Sequence, residues 1–235
     1  MAWGQAEAGI QLNFFKSRMF VAILKRLERL KPAPAHLLDI GCSFGGFLFK
    51  ARTAGYAVAG TDIVPEAVNY LGTQGIEAQV VSSVRDYRNP PAHGFDIVTS
   101  FDCSYYWPNQ RAEFTHIFNH LKPGGILVVR AVTKAWMIRF ALLIRSLNRK
   151  MSDRILIEAV NDHVSSVSAK GIVRVLKEVG FELVDATPRG AVHSNETRFI
   201  VKVMFALGTV LHGLTGILLS PGVVIIVRKP APTRA

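Results

Sequence analysis

The residues best placed to do chemistry are Asp39, Gly41, Gly45 and Asp62. They sit in the stretch LLDIGCSFGG and in GTDIVPEAV just beyond it. A short apolar run ends in an acid, a glycine-rich turn follows, and a second acid comes about twenty residues on, as in a strand–turn–helix nucleotide site. The fit to a dinucleotide fingerprint is imperfect. Ser43 stands where the second glycine would let the backbone approach a pyrophosphate, and Asp39 at the loop mouth would repel one. An acid there suits a ligand that is a cation. The alternative is structural: Asp39 capping the next helix, the glycines making a tight turn.

Those residues need a sheet to hold them, and the chain supplies one. Strands are predicted at 36–40, 56–61, 78–82, 96–101 and 126–131, with helices at 46–54, 65–72 and 111–121 between them. Crossover helices call for a parallel, doubly wound α/β sheet. An amphipathic helix at 12–31 precedes it, stopped by Pro32 and Pro34. Later come a helix at 168–179, a strand at 181–186 and a last strand at 222–227. The whole chain, 1–235, reads as one domain with two insertions, 133–162 and 188–220. In this topology both insertions start over the ligand edge of the sheet and would form a lid.

LLDIGCSFGGFL, GTDIVPEAV, FDIVTSFD and HLKPGGILVV occur in order, each in the right strand context. Together they resemble the class I S-adenosylmethionine-dependent methyltransferases, in particular the small-molecule branch that includes quinone-biosynthesis O-methyltransferases. The resemblance implies a Rossmann-like, seven-stranded, mostly parallel sheet with an antiparallel last strand. It implies S-adenosylmethionine as cofactor and S-adenosylhomocysteine as product. Asp39, Gly41, Cys42, Ser43 and Gly45 would cradle the methionine end. Asp62 would chelate the ribose hydroxyls, and Ile63 would pack on adenine. Phe101 and Asp102 end the fourth strand, where backbone carbonyls take the methionine ammonium. Many relatives end the third strand with an acid for the adenine amino group. This chain has Val81-Ser82-Ser83-Val84 instead, which leaves Ser83 and Val84 for the adenine.

Methyl transfer from a sulfonium is an in-line displacement that chiefly needs alignment. A base helps when the acceptor is a hydroxyl. His163 is the base candidate, with a structural role in the Asn161-Asp162 turn as the alternative; His193 is the weaker choice. Tyr105, Tyr106 and Trp107 follow the fourth strand and would wall an apolar or planar acceptor, or else pack the loop. Trp136 opens a predicted helix at 134–150 with Phe140, Leu143 and Leu147 on one face and arginines on the other. That helix is expected to pack on the domain as a lid; the other reading is an anionic membrane interface. Cys42 and Cys103 read as small apolar residues, and no metal site is expected.

The chain of 235 residues is 49% hydrophobic and 19% charged, with a net charge of +11. That composition supports a sizeable core and excludes wholesale disorder. The charge favours an anionic partner: nucleic acid, a phosphorylated substrate or a membrane surface. With no RNA-binding module visible, nucleic acid is the lesser choice. The apolar segment 203–219 is short for a membrane span. Its two ends must also return to neighbouring strands, leaving a buried lid helix or a shallow membrane dip. The N-terminal stretch carries no secretory signal pattern. The expectation is a cytoplasmic enzyme that methylates a hydrophobic small molecule, with O-methylation first and a position peripheral to the membrane left open. The alternatives are an RNA or other nucleic-acid methyltransferase, and a cofactor-binding membrane-peripheral protein without turnover.

Overall fold

A computed structural model describes residues 6–133, 135–160, 168–188, 199–215 and 222–231. The helix α1 (Ala6–Leu30) leads into β1 (His36–Ile40), α2 (Gly46–Thr53), β2 (Ala57–Asp62), α3 (Pro65–Thr73) and β3 (Glu77–Val80). Then follow β4 (Phe95–Phe101), α4 (Gln110–His120) and β5 (Leu121–Val132). The remainder is α5 (Ala135–Ile144), α6 (Arg149–Val160), α7 (Ala169–Val179), β6 (Glu182–Pro188), α8 (Phe199–Thr215) and β7 (Gly222–Arg228).

The seven strands form one sheet in the order β3-β2-β1-β4-β5-β7-β6. The first five are parallel. β7 runs antiparallel to both β5 and β6, so β5 and β6 are parallel to each other. Strand order reverses between β1 and β4, and ligands of open α/β sheets bind at such a point, beyond the carboxyl ends of the strands.

Period-two alternation divides the core between two faces. Leu37, Ile126 and Val128 face one way, onto Phe20, Leu27 and Phe47 of α1 and α2. Leu38, Leu127 and Val129 face the other, onto Phe114, Ile117, Ile172 and Leu176 of α4 and α7. β4 is buried along its whole length, as befits a central strand covered on both faces.

Most expected elements fall within a residue or two of their observed ends. α1 begins six positions earlier than the sequence suggested. β5 starts at Leu121 because KPGG does not end the pairing: Leu121 still sits opposite Phe95, and the register shifts before Ile97 meets Ile126.

The helix expected over 134–150 is two helices. α5 ends at Ile144 and α6 begins at Arg149. Asn148 is the cause. Its side chain accepts the Met151 amide at 3.0 Å, starting a new helix where apolar spacing alone would continue the old one. The expected packing of the Phe140-Leu143-Leu147 face on the domain is also not found. Leu143 is 75% exposed and Leu147 87%. In α8, Leu207, Val210 and Leu214 are exposed too, so α8 is not buried over its described side chains, 206–215. No helix among the described residues is long and apolar enough to cross a membrane.

Candidate functional site

The glycine turn lies at the carboxyl end of β1, between β2 and β4. Gly41, Ser43 and Gly45 all take left-handed backbone conformations, with φ of 72°, 49° and 75°. A Cβ on Gly41 would meet the Cys103 Cβ at 2.9 Å, and one on Gly45 would meet Leu71 at 2.4 Å. Glycine is therefore required at both places by backbone and by space. The turn is tied to the next strand. Gly41 and Cys42 donate their amides to the Thr61 carbonyl at 2.8 and 2.9 Å. Ser43 donates its amide to Asp62 Oδ2 at 2.7 Å. The small Ser43 holds a φ that larger residues avoid, and its amide helps fix the acid.

Asp62 closes β2. Its other oxygen, Oδ1, accepts the Val64 amide at 3.0 Å. Each oxygen thus takes one amide and keeps a second lone pair for a ligand hydroxyl. The orientation of the carboxylate is set by the loops on either side of it. Ile63 beside it is 70% exposed, and Val80, in register with Asp62 across β2 and β3, is exposed as well. These two aliphatics border the place expected for a base. The sequence reading named Ile63 and missed Val80, which only strand pairing could have revealed.

Ser83 and Val84 have other duties. The Ser83 hydroxyl accepts the Arg85 amide at 3.2 Å, capping a 3-10 turn at Val84–Asp86. The Val84 side chain is buried in the core, and its amide donates to Glu113 at 3.3 Å. Asp86 in the same turn lines a recess with Gln79, Val80 and Ser82. An acid is therefore present near the third strand after all, displaced along the chain from the expected position.

Asp39 lies deep beneath the turn at 2% exposure, next to Thr99 on β4. The Thr99 hydroxyl donates to its Oδ1 at 2.7 Å. Burial pushes the Asp39 carboxyl up to about 7, against the lowering pull of Thr99 and of Lys16.

Phe101 packs edge-on against Phe47 and at a tilt against Phe20, which fixes the end of β4. Asp102 then turns with φ 61°. Its carboxylate pairs with Arg130 of β5 and, at 2.9 Å, with Lys16 of α1. Burial alone would raise the Asp102 carboxyl. The two cations outweigh it and hold the group below the usual carboxylate range. Arg130 is 4% exposed, and its Nε has no hydrogen-bond partner among the described residues.

A buried guanidinium nitrogen without a partner is costly, and it marks a place where a ligand acceptor would be welcome. Asp39 and Asp102, with Lys16 and Arg130, thus place both signs of charge beside the glycine turn. Sequence reasoning missed Lys16 and Arg130. Arg130 did carry a signal, as a charge inside the apolar run ILVVRAV. Lys16 carried none that set it apart from the other basic residues of α1.

The remaining candidates separate. Tyr105 is half-buried and packs at a tilt against the exposed Tyr106, with ring centroids 4.6 Å apart. Burial, with Asp102 nearby, raises the Tyr105 phenol far above its ordinary value. Trp107 instead turns into the core on Phe114, at 5.4 Å between ring centroids. Cys103 is hydrogen-bonded to the Ile40 carbonyl and next to Ser100, and burial pushes its thiol up to about 12. Cys42 is likewise raised by burial, and both cysteines are free. Trp136 belongs to α5, but its side chain lies outside the described residues, as do His163 and His193 altogether. No cluster of metal ligands occurs among the described residues.

The profile of a methyltransferase domain family matches residues 15–186. A ubiquinone biosynthesis O-methyltransferase of Xanthomonas axonopodis pv. citri is 28% identical over 165 residues, 68% of this chain and 67% of that one. Among solved structures, an S-adenosylmethionine-dependent methyltransferase from Archaeoglobus fulgidus superposes with a TM-score of 0.58. It is 17% identical and covers 91% of this chain and 94% of that one. A Haemonchus contortus phosphoethanolamine N-methyltransferase, solved with S-adenosylhomocysteine, gives a TM-score of 0.59 at 17% identity. The match covers 91% of this chain and 52% of that one.

Proposed function

The chain belongs to the methyltransferase domain family and is an S-adenosylmethionine-dependent methyltransferase; from that premise we propose that it O-methylates a hydrophobic small molecule in the cytoplasm, at a membrane surface. The observation that carries the cofactor assignment is the pairing of the left-handed Gly41–Gly45 turn with a carboxylate, Asp62, held by the Ser43 and Val64 amides. Asp39, Asp102, Lys16 and Arg130 supply both signs of charge for the methionine end. The orphaned Nε of Arg130 fits its carboxylate. Ile63 and Val80 offer apolar surface to the adenine.

When bound, S-adenosylmethionine supplies an already activated methyl group. The chain's task is to hold it, aim the acceptor and keep water out. Tyr105, Tyr106 and Trp136 are the residues we assign to the acceptor wall. Trp107 supports that wall from beneath. The segments 133–162 and 188–220 are read as its cover. The thiol of Cys103 and the phenol of Tyr105 are both raised by burial, so neither accepts a proton near neutral pH. We assign His163, on the sequence pattern alone, as the base that takes the acceptor proton. Support for oxygen as the acceptor atom comes from the ubiquinone biosynthesis O-methyltransferase relative.

The test is transfer from S-adenosylmethionine bearing a deuterated methyl group, offered to a panel of apolar phenols and catechols and read by mass spectrometry. A labelled methyl ether supports the reading. Label on RNA, on nitrogen only, or on no acceptor while the cofactor still binds would each overturn the acceptor assignment.

A further inference from the structure

We propose that α5, α6 and α8 together form a docking surface for an anionic lipid bilayer. α5 follows the carboxyl end of β5 and α8 follows β6. β5 and β6 are parallel, so both segments leave the sheet at the same edge, the one that carries the glycine turn, Asp62 and Asp102. The proposal rests on the reading of a cytoplasmic enzyme working at a membrane. It does not depend on which acceptor is methylated.

Among the described side chains, several large apolar ones point outward in both segments. On α8, Leu207, Val210 and Leu214 recur at i, i+3 and i+7 on one face, and all are exposed, Leu214 at 81%. In the first segment Phe140 and Leu143 share a face of α5, and Leu147 stands at the tip of the turn before α6. A leucine at an exposed tip, capped off by Asn148 into a second helix, is a wedge rather than a core residue.

Cations frame this apolar surface. Arg139, Arg145, Arg149, Lys150 and Arg154 lie along α5, the turn and α6. Of these, Arg145 and Arg149 reach Asp153 only loosely, each at 3.9 Å. Apolar residues interleaved with exposed arginine and lysine are what an anionic interface attracts and a neutral one does not. The same pattern argues against a second copy of this chain as the occupant. A two-fold contact would set arginine against arginine, and cores of protein interfaces are depleted in charge. It also differs from a span, since α8 has 17 residues and β6 and β7 on either side of it are sheet neighbours.

The experiment is flotation of the full chain with vesicles of phosphatidylcholine alone and of phosphatidylcholine mixed with phosphatidylglycerol. The expected result is at least tenfold enrichment on the anionic vesicles, reduced by high salt. The double variant Leu143→Asp/Leu147→Asp should remove that enrichment. Its melting temperature, and the rise caused by S-adenosylmethionine, should match the parent, which separates this proposal from the cofactor assignment. If that variant does not fold, Arg145→Glu/Arg149→Glu changes only exposed charges and should give the same loss. Absence of flotation, flotation equal on neutral vesicles, or enrichment unchanged in the folded variant would overturn the proposal. So would light scattering that finds a dimer which the leucine variant dissociates, since that would assign the surface to a second copy.

Discussion

Protonation of Asp39 should govern cofactor affinity below neutral pH. Asp39 is buried beneath the glycine turn, and its carboxyl is raised from 3.8 to about 7 in the ligand-free protein, chiefly by burial. A cationic ligand binds the ionised form. With a pKa near 7, about one molecule in a hundred is ionised at pH 5 and about half at pH 7, so affinity should rise roughly 50-fold across that interval. The ligand's own α-amino group, with an ordinary pKa near 8, stays protonated throughout. Asp102 is held low by Arg130 and Lys16 and remains ionised.

Isothermal titration of S-adenosylmethionine at pH 5, 6 and 7 measures the slope. Repeating it in two buffers of different ionisation enthalpy counts the proton released. Asp39→Asn is the control: weaker binding at pH 7, and a flat profile. A wild-type slope no steeper than the variant's would refute the argument.

A matching effect should appear in stability. The folded state has the higher pKa, so between about pH 4 and 7 it binds more protons than the unfolded chain. Stability from this group is therefore full below pH 4 and falls as pH rises toward 7. The shift of about three units corresponds to roughly 4 kcal/mol at most. Asp39→Asn should accordingly raise the ligand-free melting temperature at pH 8 and leave it little changed at pH 4. A variant melting below the parent at pH 8 would contradict the cost assigned to burial.

Asp62→Ala should weaken the cofactor about 100-fold in titration, since it removes charge-assisted bonds to a ligand and frees the Ser43 amide. Unchanged affinity would refute the ribose assignment. Gly45→Ala should destabilise by about 1–3 kcal/mol in denaturant unfolding, because it forces a left-handed alanine and drives its Cβ into Leu71. A neutral result would mean that the turn adjusts freely. His163→Ala should lower turnover about 100-fold with cofactor affinity intact, if His163 takes the acceptor proton. Normal turnover would return it to a structural role.

The strands that carry the site were legible because their signals are local. HLLDI, AVAGTD and FDIVTSF are apolar runs that each end at a turn or an acid, and that is where they end in space. The break in the first insertion was less visible. Apolar spacing runs on through Leu147, and only the capping habit of Asn148 marks the boundary. The charge pattern of the methionine end was hidden for another reason. Lys16 and Arg130 are 114 positions apart in the sequence and meet at Asp102. Trp107 shows the limit of reading by residue type. Beside Tyr105 and Tyr106 it looks like part of a wall, but one further step along the chain turns it into the core on Phe114.

The position of β7 carries a consequence for how the chain is made. It is the last strand in sequence, yet it sits between β5 and β6. Until it leaves the ribosome, β6 has no neighbour, and β5 presents an unpaired edge flanked by Leu127, Val128 and Val129. Such edges recruit strands from other molecules. The nascent protein must therefore protect that gap through the synthesis of everything from residue 133 to 221, the apolar α8 included. Insertion of β7 closes the sheet and fastens the β6 edge to the rest of the domain in one step.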